Sequence, residues 1–291
     1  MLASLLLASC GAISSTPTTP IPPTATPGPP TATPVPTAAR VNDEIITLEA
    51  FEQEIERYQA AQQALGIDLA TLGDYGNLVL QGMIDRQLLA QTARGQGFVV
   101  EEADLQARIE ALTAELGQEA FESWLTDNGY TETTYREALR EDLLVTQMIE
   151  FLIVEVPSSE TQVHARHILV ASLEEADLLR GRITAGADFA DLALAYSLDS
   201  STRLAGGDLG WFAQGTLTVP ELEAAAFALQ PGELSEVIET MLGFHVLELI
   251  DMAERPLAWE VLQVRRQQAV GNWLAAQREA AEIEIFIAAQ P

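Results

Sequence analysis

One cysteine, Cys10, stands in 291 residues. No disulfide can close within the chain, and the missing thiols remove a cysteine zinc cluster or a cysteine-based active site. Lysine is absent: all 15 basic residues are arginine, set against 43 acidic ones for a net charge of −28. A surface this acidic lacks the basic face that a phosphate backbone requires. It argues against DNA or RNA as a partner and against adsorption on anionic lipid. Histidine is scarce, with only His164, His167 and His245. Nine of the 14 prolines lie between Pro17 and Pro36, so the rest of the chain is nearly free of them. After the first residues no apolar run approaches the roughly 20 residues of a membrane-spanning helix.

Residues 14–39 are almost entirely Thr, Pro, Ala, Ser and Gly. Such a stretch cannot bury apolar area and favours extended polyproline II, at about 3.1 Å per residue. It reads as a stalk over residues 11–39; the other reading is a ligand for a proline-recognition domain. Ahead of it, the apolar Leu2–Ala8 runs into Leu7-Ala8-Ser9-Cys10, which resembles a bacterial lipoprotein signal over residues 1–10. That resemblance implies lipidation at Cys10, a membrane anchor through the lipid, and an extracytoplasmic location.

The remaining residues suffice for two domains. Val41 to Thr47 reads as a short strand pair around Asn42-Asp43. Leu48, Phe51, Ile55 and Tyr58 share one helical face, and Leu80, Ile84 and Leu88 mark a second helix over about 77–94. Leu105, Ile109, Leu112 and Leu116 mark a third, and Phe121, Trp124 and Leu125 a short fourth. Tyr135, Leu139 and Leu143 belong to a long fifth running to about Phe151. Gly95, Gly97, Gly117 and Gly129 stand where these helices should stop. Pro157 makes 154–159 a linker, and Glu254-Arg255-Pro256 reads as a second break. Beyond it, Trp259, Leu262, Val270, Trp273 and Leu274 lie on an amphipathic helix over about 257–281, and residues 282–286 alternate as a strand does. A lone helix cannot bury its apolar face, so residues 256–291 are expected to pack on the helices of residues 40–156.

Between these parts, the spacing reads β-α-α-β-α-β-β. Val163–Ala171 is the first strand, followed by helices at Glu174–Thr184 and Asp188–Tyr196, with Asp188 as N-cap. A short strand at Leu209–Ala213, a helix opened by Pro220, and a hairpin of Leu234–Glu239 with Phe244–Asp251 complete it. The segment holds His167-Ile168-Leu169-Val170, Tyr196-Ser197-Leu198-Asp199-Ser200-Ser201, Gly206-Gly207-Asp208-Leu209-Gly210-Trp211-Phe212 and Gly243-Phe244-His245-Val246-Leu247. In this order it resembles the parvulin family of peptidyl-prolyl cis-trans isomerases, over residues 160–253. With the flanking helices, the layout resembles extracytoplasmic foldases and outer-membrane chaperones. The fold class expected is α+β: a parvulin domain with a four-stranded antiparallel sheet, inserted into an all-helical chaperone-like body formed by both chain ends.

By position, the resemblance implies a catalytic floor of His167, Asp199, His245 and Thr240. The two histidines would bond across the central strands, with Asp199 facing the twisting amide. It implies a proline-ring wall of Leu209, Phe212, Leu217 and Leu222, with Phe227 behind; ordinary core packing is the other reading of these apolar residues. Leu217 stands where the family has methionine, Leu222 where it has phenylalanine, and Thr218 reads as a one-residue insertion. Leu242 occupies a position that is often small or polar.

His164 and His167, three apart on a strand, point to opposite faces and make no metal pair. Gly206–Gly210 lacks the lysine and following helix of a phosphate loop and reads as a tight turn. The loop Ser172–Asp177 carries Glu174, Glu175 and Asp177, which would repel a phosphorylated substrate. No cofactor or metal is expected. The expected function is isomerisation of X-Pro bonds, without covalent chemistry, in unfolded or nascent, unphosphorylated exported polypeptides, together with a chaperone role. The alternative is a peptide-binding chaperone that keeps the parvulin fold without turnover, and a surface scaffold is the third reading.

Overall fold

The computed structural model describes residues 35–287. Cys10, the signal resemblance and all but the end of the proline-rich stretch lie outside the described residues. Strands β1 (Thr37–Val41) and β2 (Glu44–Thr47) pair antiparallel around Asn42, whose φ of 53° is left-handed. Asparagine tolerates that conformation better than most residues. The short β7 (Ile283–Ile285) returns from the far end of the chain to pair with β1, giving a sheet ordered β2-β1-β7. Asn42 secures the closure: its backbone N–H donates to the Glu282 carbonyl at 2.8 Å, and its Oδ1 accepts from the Glu282 N–H at 3.0 Å.

Thr47 caps α1 (Leu48–Ala64), its side chain accepting from the Ala50 N–H. Helix α2 (Tyr75–Gly95) buries Leu80, Ile84 and Leu88 on one face, as their spacing requires. This face meets Phe51 of α1 and Ala38, Ala39, Val41 and Ile46 of the strands in one core. Helices α3 (Glu102–Leu116) and α4 (Gln118–Asp127) form a satellite core with the start of α5 (Glu132–Val154), built on Ile109, Phe121 and Leu125. Helix α5 extends three residues beyond Phe151.

The last helix, α9 (Trp259–Ala280), lies on the outside of this body and buries none of its residues fully. Trp273 and Leu274 pack on Leu89, Ala93, Leu144 and Met148 of α2 and α5. Arg278 fastens it further, donating to Asp85 at 2.6 Å and to the Gln81 carbonyl at 2.9 Å. Trp259, expected on the apolar face, is 71% exposed: it is the first residue of α9, and the packed cluster with α2 and α5 takes Trp273 and Leu274 from farther along the helix. The body formed by both chain ends is therefore helical with a small sheet of its own, rather than all-helical.

Between α5 and α9 lies a four-stranded antiparallel sheet ordered β4-β3-β6-β5, made of β3 (Ser159–Val170), β4 (Asp208–Ala213), β5 (Ile238–Thr240) and β6 (Gly243–Pro256). Strands β3 and β6 pair along their whole length, from Ser159 opposite Pro256 to Val170 opposite Phe244. Glu254-Arg255-Pro256, read from sequence as a break, belongs to β6. Pro256 is its last residue, a position at which a missing N–H interrupts no ladder. Helices α6 (Leu173–Thr184) and α7 (Phe189–Tyr196) cover one face over Ile168, Val170 and Val246; α8 (Pro220–Ala228) covers the other over Val163, Ala165, Leu247 and Leu249. The hairpin closes later than its sequence suggests: of Leu234–Glu239 only the end is strand, and Leu234 makes an isolated bridge to Glu248. Ser172–Asp177 is no loop. Ser172 caps α6, and Glu174 and Glu175 fill its first turn, where acidic groups stabilise the helix dipole.

Met148 is fully buried at the point where α2, α5 and α9 meet. Met148→Ala is expected to lower unfolding free energy by about 2–5 kcal/mol, read from chemical denaturation.

Candidate active site

Both buried histidines come from the central strand pair. Alternation along β3 puts His167 on the α8 face with Val163 and Ala165, the face that carries His245, Leu247 and Leu249 on β6. The imidazoles are 4% and 0% exposed and stack with centroids 5.3 Å apart at 13°. Their Nδ1 atoms lie 3.1 Å apart. On one side His167 Nε2 meets Asp199 Oδ2 at 2.7 Å; on the other, His245 Nε2 meets the Thr240 hydroxyl at 2.8 Å. The four residues form one continuous chain of hydrogen bonds, Thr240–His245–His167–Asp199.

Donor and acceptor accounting sets its direction at the Asp199 end. Burial works to raise the Asp199 pKa, but hydrogen bonds from Ser201, Thr202 and His167 prevail and hold the carboxyl well below the usual carboxylate range. An ionised carboxylate only accepts, so His167 donates from Nε2. One proton then lies between the two Nδ1 atoms, and the Thr240 hydroxyl closes the chain at His245 Nε2. The Leu242 N–H in turn donates to Thr240 Oγ1 at 3.1 Å. Burial, reinforced by the neighbouring His167, lowers the His245 pKa from 6.5 to about 4, which keeps this ring neutral.

The turn after α7 presents Asp199. The Leu198 N–H bonds the Leu169 carbonyl at 2.7 Å, and the buried Ser197 Oγ accepts from Leu169 N at 3.2 Å and Asp199 N at 3.3 Å. Asp199 Oδ1 accepts from the Ser201 backbone N–H at 2.9 Å and its hydroxyl at 2.6 Å, and Oδ2 accepts from Thr202 Oγ1 at 2.6 Å. Ser197, Ser201 and Thr202 are site residues that the sequence reading passed over. The signal was the run of short hydroxyl side chains around an aspartate, the composition of an Asx turn. Further on, the tight turn at Gly206-Gly207 lies against the backbone of His167, whose N–H donates to the Gly207 carbonyl at 2.8 Å. A Cβ on Gly207, where φ is +84°, would stand 2.1 Å from the His167 carbonyl oxygen.

Leu209, Phe212, Leu217, Leu222 and Phe227 gather beside this chain in a single apolar cluster. Phe212 and Phe227 meet edge to face at 6.2 Å. Leu222 is only 2% exposed, so its side chain backs the wall from within the core, whereas Leu209, Leu217 and Phe227 are half-buried. Fully or largely exposed apolar residues border the polar groups: Leu198 precedes Asp199, and Met241 and Leu242 follow Thr240. His164 stands apart from the chain, bonded to Asp208 at 2.7 Å and stacked on Trp211. Among the described residues no cluster of His, Cys, Asp and Glu is arranged to hold a metal ion.

Residues 161–251 match the model of the PPIC-type PPIase domain, and residues 27–149 that of the SurA-like N-terminal domain. A foldase protein PrsA of Halalkalibacterium halodurans is 34% identical over 196 residues, covering 61% of this chain and 58% of the foldase. A chaperone SurA of Nitrosococcus oceani is 37% identical over 142 residues, covering 43% of this chain and 33% of the chaperone. A crystal structure of the peptidylprolyl isomerase PrsA from Bacillus cereus superimposes with a TM-score of 0.44 at 23% identity, over 81% of this chain and 86% of that one. The chain thus spans 58% and 33% of the lengths of these two curated relatives.

Two outcomes follow from the geometry. His245 is neutral in the fold but titrates near 6.5 when unfolded, so between pH 6.5 and about 4 the unfolded chain binds the extra proton. Stability is expected to be level above that window and to fall as pH drops through it, with a slope that His245→Asn flattens, measured as unfolding free energy against pH. Gly207→Ala is expected to cost about 2–4 kcal/mol through backbone strain and displacement of the His167 strand, read from thermal or chemical denaturation.

Proposed function

We propose that this chain, which joins a SurA-like N-terminal domain to a PPIC-type peptidyl-prolyl isomerase domain, is an isomerase of X-Pro bonds and a folding chaperone for exported polypeptides. The observation that carries the reading is the ordered chain Thr240–His245–His167–Asp199 lying beside an apolar wall. Rotation about an X-Pro bond is opposed by amide resonance, with a barrier of about 18–20 kcal/mol. The planar amide is more charge-separated than the twisted one, so a desolvated apolar cleft stabilises the twisted form selectively. Leu209, Leu217 and Phe227 supply that surface to the proline ring, with Phe212 and Leu222 behind them.

The histidine pair acts as a rigid floor. It is held at one end by ionised Asp199 and at the other by Thr240. Asp199 already accepts four hydrogen bonds, which supports a positioning and electrostatic role over nucleophilic attack. The proposed substrate is an unphosphorylated, unfolded or nascent chain: the start of α6 offers Glu174 and Glu175 where a phosphate would need cations. Lipidation at Cys10, membrane anchoring and display on a proline-rich stalk complete the proposal and rest on the sequence of residues 1–39 alone. The division into a helical part at 40–156, an isomerase part at 160–253 and a returning part at 256–291 is supported by the pairing of β1 with β7.

A second reading, a peptide-binding chaperone without turnover, is favoured by one feature. Leu222 is too deeply buried to clamp a ring, while Leu198, Met241 and Leu242 offer exposed apolar surface at the rim. NMR exchange on a short unphosphorylated X-Pro peptide separates the two. The chain is expected to accelerate cis-trans exchange, and Asp199→Ala or His245→Ala to reduce the catalysed rate by about tenfold or more. Binding of the peptide with no acceleration, unchanged in both variants, would establish the second reading.

A further inference from the structure

The loop 214–219, between β4 and α8, carries Leu217 of the apolar wall. Its backbone is held from two sides by opposite charges. From α8, the Glu223 carboxylate accepts the N–H groups of three successive residues: Gly215 at 2.7 Å, Thr216 at 3.0 Å and Leu217 at 3.0 Å. From α9, Arg265 donates to the Gln214 carbonyl and grips Glu160 of β3 through two nitrogens, at 3.0 and 3.2 Å. Gly215, left-handed at φ +76°, lies directly under this guanidinium, which a Cβ there would approach to 3.7 Å.

Charge-assisted bonds of this kind are shorter and stronger than neutral ones. Apart from them, this exposed loop of Gln, Gly and Thr is ordered by the Thr216 hydroxyl, which donates to the Ala213 carbonyl at 2.7 Å, and by Leu217 and Val219, which turn toward the core. The consequence lies in where the charges come from. Glu223 belongs to the isomerase domain, but Arg265 belongs to the returning C-terminal helix, which packs through Trp273 and Leu274 on α2 and α5. One guanidinium therefore ties the helical body at once to the start of β3 and to the turn that bears a wall residue.

We propose that Arg265 and Glu223 are positioning residues for the proline-ring wall, so that the helical body sets the shape of the site through Arg265. Neither touches substrate; both act through the Leu217 loop. The inference rests on the isomerase reading above. A lysine is expected to replace Arg265 only in part: Nη2 reaches both Glu160 and the Gln214 carbonyl while Nε holds the second Glu160 oxygen, a planar two-nitrogen grip that one ammonium does not reproduce.

The full chain, Arg265→Ala, Arg265→Lys and Glu223→Gln would be compared in two measurements. Amide hydrogen exchange at Gly215, Thr216 and Leu217 reads the loop directly, with no reference to catalysis. Saturation kinetics by NMR exchange on an unphosphorylated X-Pro peptide reads the site. Arg265→Ala is expected to accelerate exchange at those three amides, while leaving Ile168 and Val246 protected, and to raise KM by about tenfold with a smaller effect on kcat. Arg265→Lys should fall between, and it serves if the alanine variant does not fold. Unaltered exchange at the three amides, or looser amides with KM unmoved, overturns the proposal. A native chain with no isomerisation sinks the isomerase reading instead. Peptide affinity by titration then replaces KM, and a loosened loop with undiminished affinity overturns the positioning role.

Discussion

The pairing of β3 with β6 is the constraint on which the rest of the isomerase domain depends. It is the longest ladder in the molecule, and it places His167 and His245 side by side on the same face. Two polar rings with negligible exposure are costly to bury unless every ring nitrogen finds a partner. Each nitrogen does: the rings bond to each other and to Thr240 and Asp199 outside. The hairpin turn at β5–β6 and the Asx turn at Asp199 are thus the two terminals of a polar line drawn through an apolar layer. A one-residue slip of β6 against β3 would carry His245 to the α6 face and leave four ring nitrogens unsatisfied.

The same ladder continues outward as the stem joining the domain to the helical body. Ser159 and Pro256, its last pair, lie next to the ends of α5 and α9. Those helices pack on each other through Leu144, Met148, Trp273 and Leu274, and β7 closes on β1. Entry and exit are therefore adjacent, and the central domain hangs from a two-stranded ribbon braced by Arg265 on Glu160. Salt bridges on an exposed surface contribute little by themselves. Here the pair is partly sheltered and fixes the orientation of a loop as well as of a strand.

Sequence alone determined much of this chain. Helical periods of three and four placed Leu80, Ile84 and Leu88 on the buried face of α2, and Asp188 capped α7 as its residue type suggests. The resemblance in residues 163–251 led to the four-stranded antiparallel sheet between helical regions from both ends, and to the PPIC-type domain matched at 161–251. It also named four polar residues that prove to be linked in space, because their order along the chain is a property of the motif and needs no coordinates.

What only the tertiary structure decided was long-range or backbone-borne. The strand content of Glu254-Arg255-Pro256 depends on a partner about 95 residues away, at Ser159, Glu160 and Thr161. The depth of Leu222 and the exposure of Trp259 are matters of which helix lies alongside, not of residue type. The direction of the hydrogen-bond chain at its Asp199 end needed the ionised state of Asp199, which needed Ser201 and Thr202 folded around it. Arg265 carries no motif; its importance arises only because α9 crosses beside the start of β3 and the turn after β4. Local chemistry is written in the order of residues, but a charge that bridges two domains is visible only when the chain has closed on itself.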